Sequence, residues 1–126
     1  MKKYGNYCTE EQTELAHKLG APIAKSRYSG SYPCFWTFEK EHFIIPTTQE
    51  MFGWLREQNI FVKLRHQKYI SDAFIQYFNE DALNYEDIDI VHITEEFSGD
   101  MYKECEISAI DIALDYLEKR KNNLKE

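Results

Sequence analysis

The stretch Ile60-Phe61-Val62-Lys63-Leu64-Arg65-His66 alternates with a period of two, so that in an extended chain Ile60, Val62, Leu64 and His66 point one way and Phe61, Lys63 and Arg65 the other. Such a segment has one side for a core and one for water, which is how a strand of an antiparallel sheet is written. Two further runs read as strands but carry apolar residues on both sides. Asp72 to Phe78 sets Phe74 and Phe78 against Ala73, Ile75 and Tyr77, and Ile88 to Thr94 sets Ile88 and Ile90 against Val91 and Ile93. Between them Asn79 to Asn84 is a connection, and links this short favour hairpins over crossovers. Upstream, the aromatic run Tyr32 to Phe38 and the run His42 to Ile45 also favour strand. Pro33 and Pro46 hold them to edges or ends, where a missing amide donor does little harm.

Helix signals alternate with these runs. Thr9-Glu10-Glu11-Gln12 is a capping box, opening a helix over about Glu10 to Leu19 that Gly20 and Pro22 stop. Thr47-Thr48-Gln49-Glu50 is a second box and opens a helix to about Gln58, weakened at Gly53 by about 1 kcal/mol relative to alanine. After Ser98-Gly99-Asp100, which offers Asp100 as an N-cap, Met101, Cys105, Ala109, Ile112, Ala113, Tyr116 and Leu117 recur at three- and four-residue steps and predict a long helix to about Lys121. Ile23 to Ser31 is polar, has no period and is expected to be a surface loop. The order of elements predicts an α+β fold over residues 1–126 as a single domain. An antiparallel sheet of three to five strands carries helices, with the long C-terminal helix packed on one face.

A chain of 126 residues can bury enough surface to fold without staples. Its longest apolar runs fall far short of the roughly 20 residues a bilayer span requires, so no membrane association is expected. Met1-Lys2-Lys3 is not followed by an apolar stretch, and Cys8, Cys34 and Cys105 are an odd number without any C-x-x-C pair. The expectation is therefore a reducing, cytoplasmic setting without a disulfide framework or zinc knuckle. A net charge of −7 argues against general binding to a phosphate backbone. From Asn79 to Glu106 ten acids face only Lys103, whereas Arg56, Lys63, Arg65 and Lys68 face only Glu57. The two stretches are expected to be each other's partners across the sheet.

Taken together, Thr9-Glu10-Glu11-Gln12 with Leu19-Gly20-Ala21-Pro22, Tyr32-Pro33-Cys34, the helix from Gln49 to Leu55 and the closing Ala109 to Leu117 give a layout with a likeness elsewhere. It resembles small uncharacterised proteins encoded by phages and mobile elements of gut bacteria. The resemblance implies no activity, cofactor or site residue.

Chemistry-bearing residues are dispersed. Cys34, between Pro33 and Phe35, lacks a helix N-terminus or cation to activate it and is expected to be a buried, inert thiol, as is Cys105 on its apolar stripe. His17, His42, His66 and His92 are never paired at metal-binding spacing, although His66 and His92 would meet if their strands paired. The acids Asp81, Glu86, Asp87 and Asp89 lack the spacing of a calcium loop. Phe61, Lys63, Arg65, Lys68 and Tyr69 mix cations with rings as single-strand binders do, but a strand's wet face accounts for them. No cofactor or metal is expected. The sequence favours a protein-binding or self-associating module, its interface built on Tyr28, Tyr32, Phe35, Trp36 and Phe38. Two alternatives stay open: a small enzyme using Cys34 or a His66/His92 site, and an acidic mimic of nucleic acid.

Overall fold

The Thr9 hydroxyl accepts the Gln12 amide at 3.1 Å while Gln12 Oε1 accepts the Thr9 amide at 3.0 Å, and this reciprocal cap starts helix α1 (Glu10–Lys18). Its far end is a Schellman turn. Gly20 takes φ +104°, the Ala21 amide donates to the Ala16 carbonyl and the Gly20 amide to the His17 carbonyl. Lys121 Nζ, reaching from the far end of the chain, donates to the Leu19 carbonyl at this negative helix terminus. The computed structural model describes residues 6–25, 34–37, 41–94 and 101–124. The expected Asp100 cap lies outside them.

Strands β1 (Cys34–Trp36) and β2 (His42–Ile44) pair antiparallel as a two-stranded sheet, with Cys34 opposite Ile44 and Trp36 opposite His42. Thr47 and Glu50 close the second capping box around α2 (Thr48–Glu57). Asn59 then takes φ 65°, a left-handed residue that turns the chain directly into β3 (Ile60–His66). With β4 (Ile70–Asn79) and β5 (Asn84–Thr94) it makes a three-stranded antiparallel sheet in the order β3-β4-β5. The fold is α+β, with the expected strands divided between two small sheets.

The long helix α3 (Met101–Leu124) packs on the sheet with one side and on α1 and α2 with another. Its fully buried residues are therefore more numerous than a single stripe. Ile110 and Leu114, absent from the expected spacing, are fully buried beside Cys105, Ala109 and Ala113, while Ile112 and Tyr116 are half-buried. The sheet meets this helix with Ile60, Ala73, Ile75, Tyr77 and Val91. A bulge beside Ile75 and Gln76 leaves Ile88 unpaired, which lets Ile88 join that core although Ile90 does not.

The layers are joined by Gln12. Its side chain, 1% exposed, donates from Nε2 to the Ile107 carbonyl and to Asp111 Oδ1, both at 2.8 Å. One amide thus caps α1 and ties it to α3. Gln12→Ala should lower unfolding free energy by about 2–3 kcal/mol, because it strips the cap and leaves buried partners unpaired. Gln12→Glu, which keeps the acceptor but loses the donor, should recover only part of this in urea titrations.

The β4–β5 hairpin closes through residues 80–83, with Leu83 at φ 56° and 77% exposed. An L-residue bearing a side chain is strained there by about 1–2 kcal/mol. Leu83→Gly should therefore raise stability by up to about 1 kcal/mol, the relief exceeding the glycine entropy cost. A shift of the urea midpoint downward would contradict this account of the turn.

Candidate binding surface on the open sheet face

Cross-strand registry sorts the side chains of the three-stranded sheet into two faces. On one, Ile60, Ala73, Ile75 and Val91 are buried against α3. On the other, three rows run across the strands: Phe61, Gln76 and Asp87; Lys63, Phe74 and Ile90; Arg65, Asp72 and His92. Phe78 and Tyr85 pair beyond the first row. This second face is apolar at its centre yet open, with Ile90 59% and Tyr85 54% exposed. Tyr85 gathers Phe78 and Phe61, its ring centroid 5.0 Å and 5.7 Å from theirs. Phe74 is half-buried, with the Arg65 guanidinium 6.0 Å above its ring.

The last row is polar and paired. Arg65 donates from Nε and Nη2 to Asp72 Oδ2, at 3.2 and 2.5 Å, and His92 Nδ1 bonds Asp72 Oδ1. A carboxylate only accepts, so His92 Nδ1 carries the proton of this bond. Asp72 is 2% exposed although its face is open, because these two partners cover it. The Arg65 guanidinium first, and the His92 ring second, hold its carboxyl below its ordinary value of 3.8.

The expected pairing of the basic and acidic stretches is therefore corrected. β3 and β5 occupy opposite edges of the sheet, separated by β4, and Arg65 finds its acid on the middle strand. The same order separates His66 from His92. They flank β4 on opposite faces, His66 Nδ1 sharing a hydrogen bond with Ser71 Oγ at 3.0 Å and its ring lying 4.4 Å from that of Tyr102. Among the described residues no three His, Cys, Asp or Glu side chains stand together in a way that could hold a metal ion.

Cys8 and Cys105 are buried. Desolvation is the largest cause raising their thiols, to about 12 and about 11. Cys34 is half-buried rather than buried, since β1 lies in the small two-stranded sheet. Of the five expected interface residues, Trp36 is 64% exposed and stacks on His42 at 4.7 Å, while Phe35 packs edge-on to Phe43 at 5.9 Å and joins the core. Tyr28, Tyr32 and Phe38 lie outside the described residues. The open-face residues Phe74, Phe78, Tyr85 and Ile90 were not among the expected ones. Their signal is the double-sided apolar pattern of β4 in a chain with one long helix to cover it.

A carboxylate whose folded pKa is depressed contributes stability above its unfolded value and loses it as pH falls through the folded one. Wild type should accordingly be more stable than Asp72→Asn at pH 7, and the gap should close as pH drops below 3.8. Urea midpoints at pH 7, 4 and 2 test this, and a gap independent of pH would contradict it. Comparison of the chain with protein-family models, with curated proteins and with solved structures finds no match.

Proposed function

We propose that this chain acts by binding another protein surface, with the open face of β3, β4 and β5 as the docking site. The observation that carries this reading is the exposure of Ile90 and Tyr85 beside Phe61, Phe74 and Phe78 on the sheet face turned away from α3. Contiguous apolar and aromatic patches rimmed by polar residues mark interaction sites in soluble domains. Aromatic anchors with an arginine beside them are the residue types that concentrate interface energy.

Charge favours a protein occupant over nucleic acid. Arg65 is already neutralised by Asp72, Asp87 lies on the same face, and the chain carries a net −7. Trp36, exposed on the smaller sheet, is the expected interface residue that stands at the surface among the described ones, and it would serve as a separate aromatic anchor. Among the described residues no helix is long and apolar enough to cross a membrane.

A photo-crosslinking amino acid at Tyr85, expressed in the native host, should give a protein adduct of defined mass. The same group at Glu118, exposed on α3, should not. Ile90→Lys, which places a charge in the middle of the patch, should reduce the Tyr85 adduct at least tenfold without lowering the melting temperature. Equal labelling from both positions, or none from Tyr85, would sink the reading.

A further inference from the structure

Residues 119–121 set three cations in a row near the end of α3, where the negative pole of the helix favours them. The fold answers each one differently. Lys119 Nζ pairs with Asp115 Oδ2 at 3.0 Å, and Lys121 Nζ donates to the Leu19 carbonyl. Arg120 pairs with no carboxylate among the described residues, and its guanidinium lies over the Tyr77 ring, 4.1 Å from the centroid. Tyr77 stands on the face of β4 turned to α3, and Glu86, opposite it on β5, accepts from Asn79 Nδ2 at 3.3 Å instead of from Arg120. Acids are not scarce in this chain, which has 22 of them against 15 lysines and arginines, yet this half-buried guanidinium is left without one.

Arg120 also belongs to a stripe. Tyr116, Lys119, Arg120 and Asn123, at i, i+3, i+4 and i+7 of α3, line a cleft of about 380 Å³. The Tyr116 ring stands 5.6 Å from that of Tyr77, tilted by 47°. The cleft is within the range of about 300–1,000 Å³ of small-molecule sites, which set a few convergent polar groups among apolar and aromatic walls. Stacking on Tyr77 occupies the flat face of the guanidinium and leaves its in-plane N–H groups, the fork that a carboxylate takes two at a time.

We propose that this cleft binds a small molecule that carries one carboxylate on a planar aromatic body. The carboxylate takes the Arg120 fork, the ring lies along Tyr116, and the Asn123 amide offers a further donor at the rim. Charge sets the class of anion. Lys119 is already neutralised by Asp115, so the cleft holds one unanswered positive charge, which matches a monoanion better than a dianionic phosphate ester. The site is on the α3 side of the sheet, apart from the open face, and does not depend on the docking reading above.

Heteronuclear NMR titration of the full chain with 2-naphthoate tests the proposal, with 2-naphthamide as the uncharged counterpart and inorganic phosphate as the bare anion. Naphthoate should shift the backbone amides from Tyr116 to Asn123 with a dissociation constant below about 1 mM, and the other two should bind at least about tenfold more weakly. Arg120→Gln should weaken naphthoate binding by at least about tenfold, and Arg120→Lys, which keeps the charge but loses the planar fork, by about threefold or more. Arg120 also packs on Tyr77, so thermal melts check that each variant is folded. Asn123→Ala, at an exposed position clear of that contact, should by itself weaken binding by about threefold. No shift over residues 116–123 up to about 5 mM naphthoate, shifts centred on Tyr85 and Ile90, equal binding of naphthoate and naphthamide, or indifference to both Arg120→Gln and Asn123→Ala would overturn the site. Phosphate binding more tightly than naphthoate would overturn the ligand class.

Discussion

A three-stranded sheet has two faces, and this chain has one long helix to lay against them. α3 covers the face of Ile60, Ala73, Ile75, Tyr77 and Val91, and the fit is close because small residues meet there: Ala73, Cys105, Ala109 and Ala113 are all fully buried. Interiors pack at near-crystalline density, so small side chains at a helix–sheet contact bring the two backbones together and fix the helix laterally. The remaining helices depend on that placement. α1 and α2 pack on α3, and Gln12 joins the α1 cap to the Ile107 carbonyl in the middle of α3. Thr48 Oγ1, at the start of α2, likewise donates to Glu106 at 2.8 Å.

Because the helices gather on one side, the other face of β4 keeps its phenylalanines at the surface. Phe74 and Phe78 are not tolerated accidents of an edge strand, for β4 is the central strand and its residues are held in register from both sides. The polar end of this face is organised differently. Asp72 is screened by Arg65 and His92, each 58% exposed, so a negative charge amid aromatic rings is enclosed by two side chains instead of by the protein interior. Arg65 serves twice, pairing with Asp72 and lying over Phe74, which pins its planar head on the ring beside the apolar centre.

Where local chemistry decides structure, the sequence is legible. Both capping boxes, the Gly20 stop and the β3 alternation stand where the residues place them, because each is satisfied within a few positions. β5 begins at Asn84, four residues before its apolar run. Asn84 to Asp87 is polar, and its pairing rests on backbone registry with side-chain bonds such as Gln76 to Asp87 and Asn79 to Glu86, which leave no period to read. The α3 stripe misleads for another reason: a helix packed on two sides buries Ile110 and Leu114 as well as the spacing that one side requires. Strand order is the least legible feature. Nothing local in Arg65 or His92 tells that Asp72 stands between them, and the expectation that basic and acidic segments adjoin fails on that one insertion. The interface residues follow suit, since exposure of Phe74 is decided by which face α3 takes.

An apolar sheet face flanked by two edges that no strand among the described residues pairs is also a hazard, because unpaired strand edges template further pairing. The charge distribution on β3 and β5 limits this in a specific manner. Lys63 and Arg65 line one edge strand, and Glu86, Asp87 and Asp89 line the other. Symmetric joining through either edge therefore meets repulsion, while the open-ended joining of unlike edges must desolvate charges along the whole contact. Like charge along each edge strand thus opposes symmetric edge-to-edge pairing and leaves the open face as the surface proposed for docking.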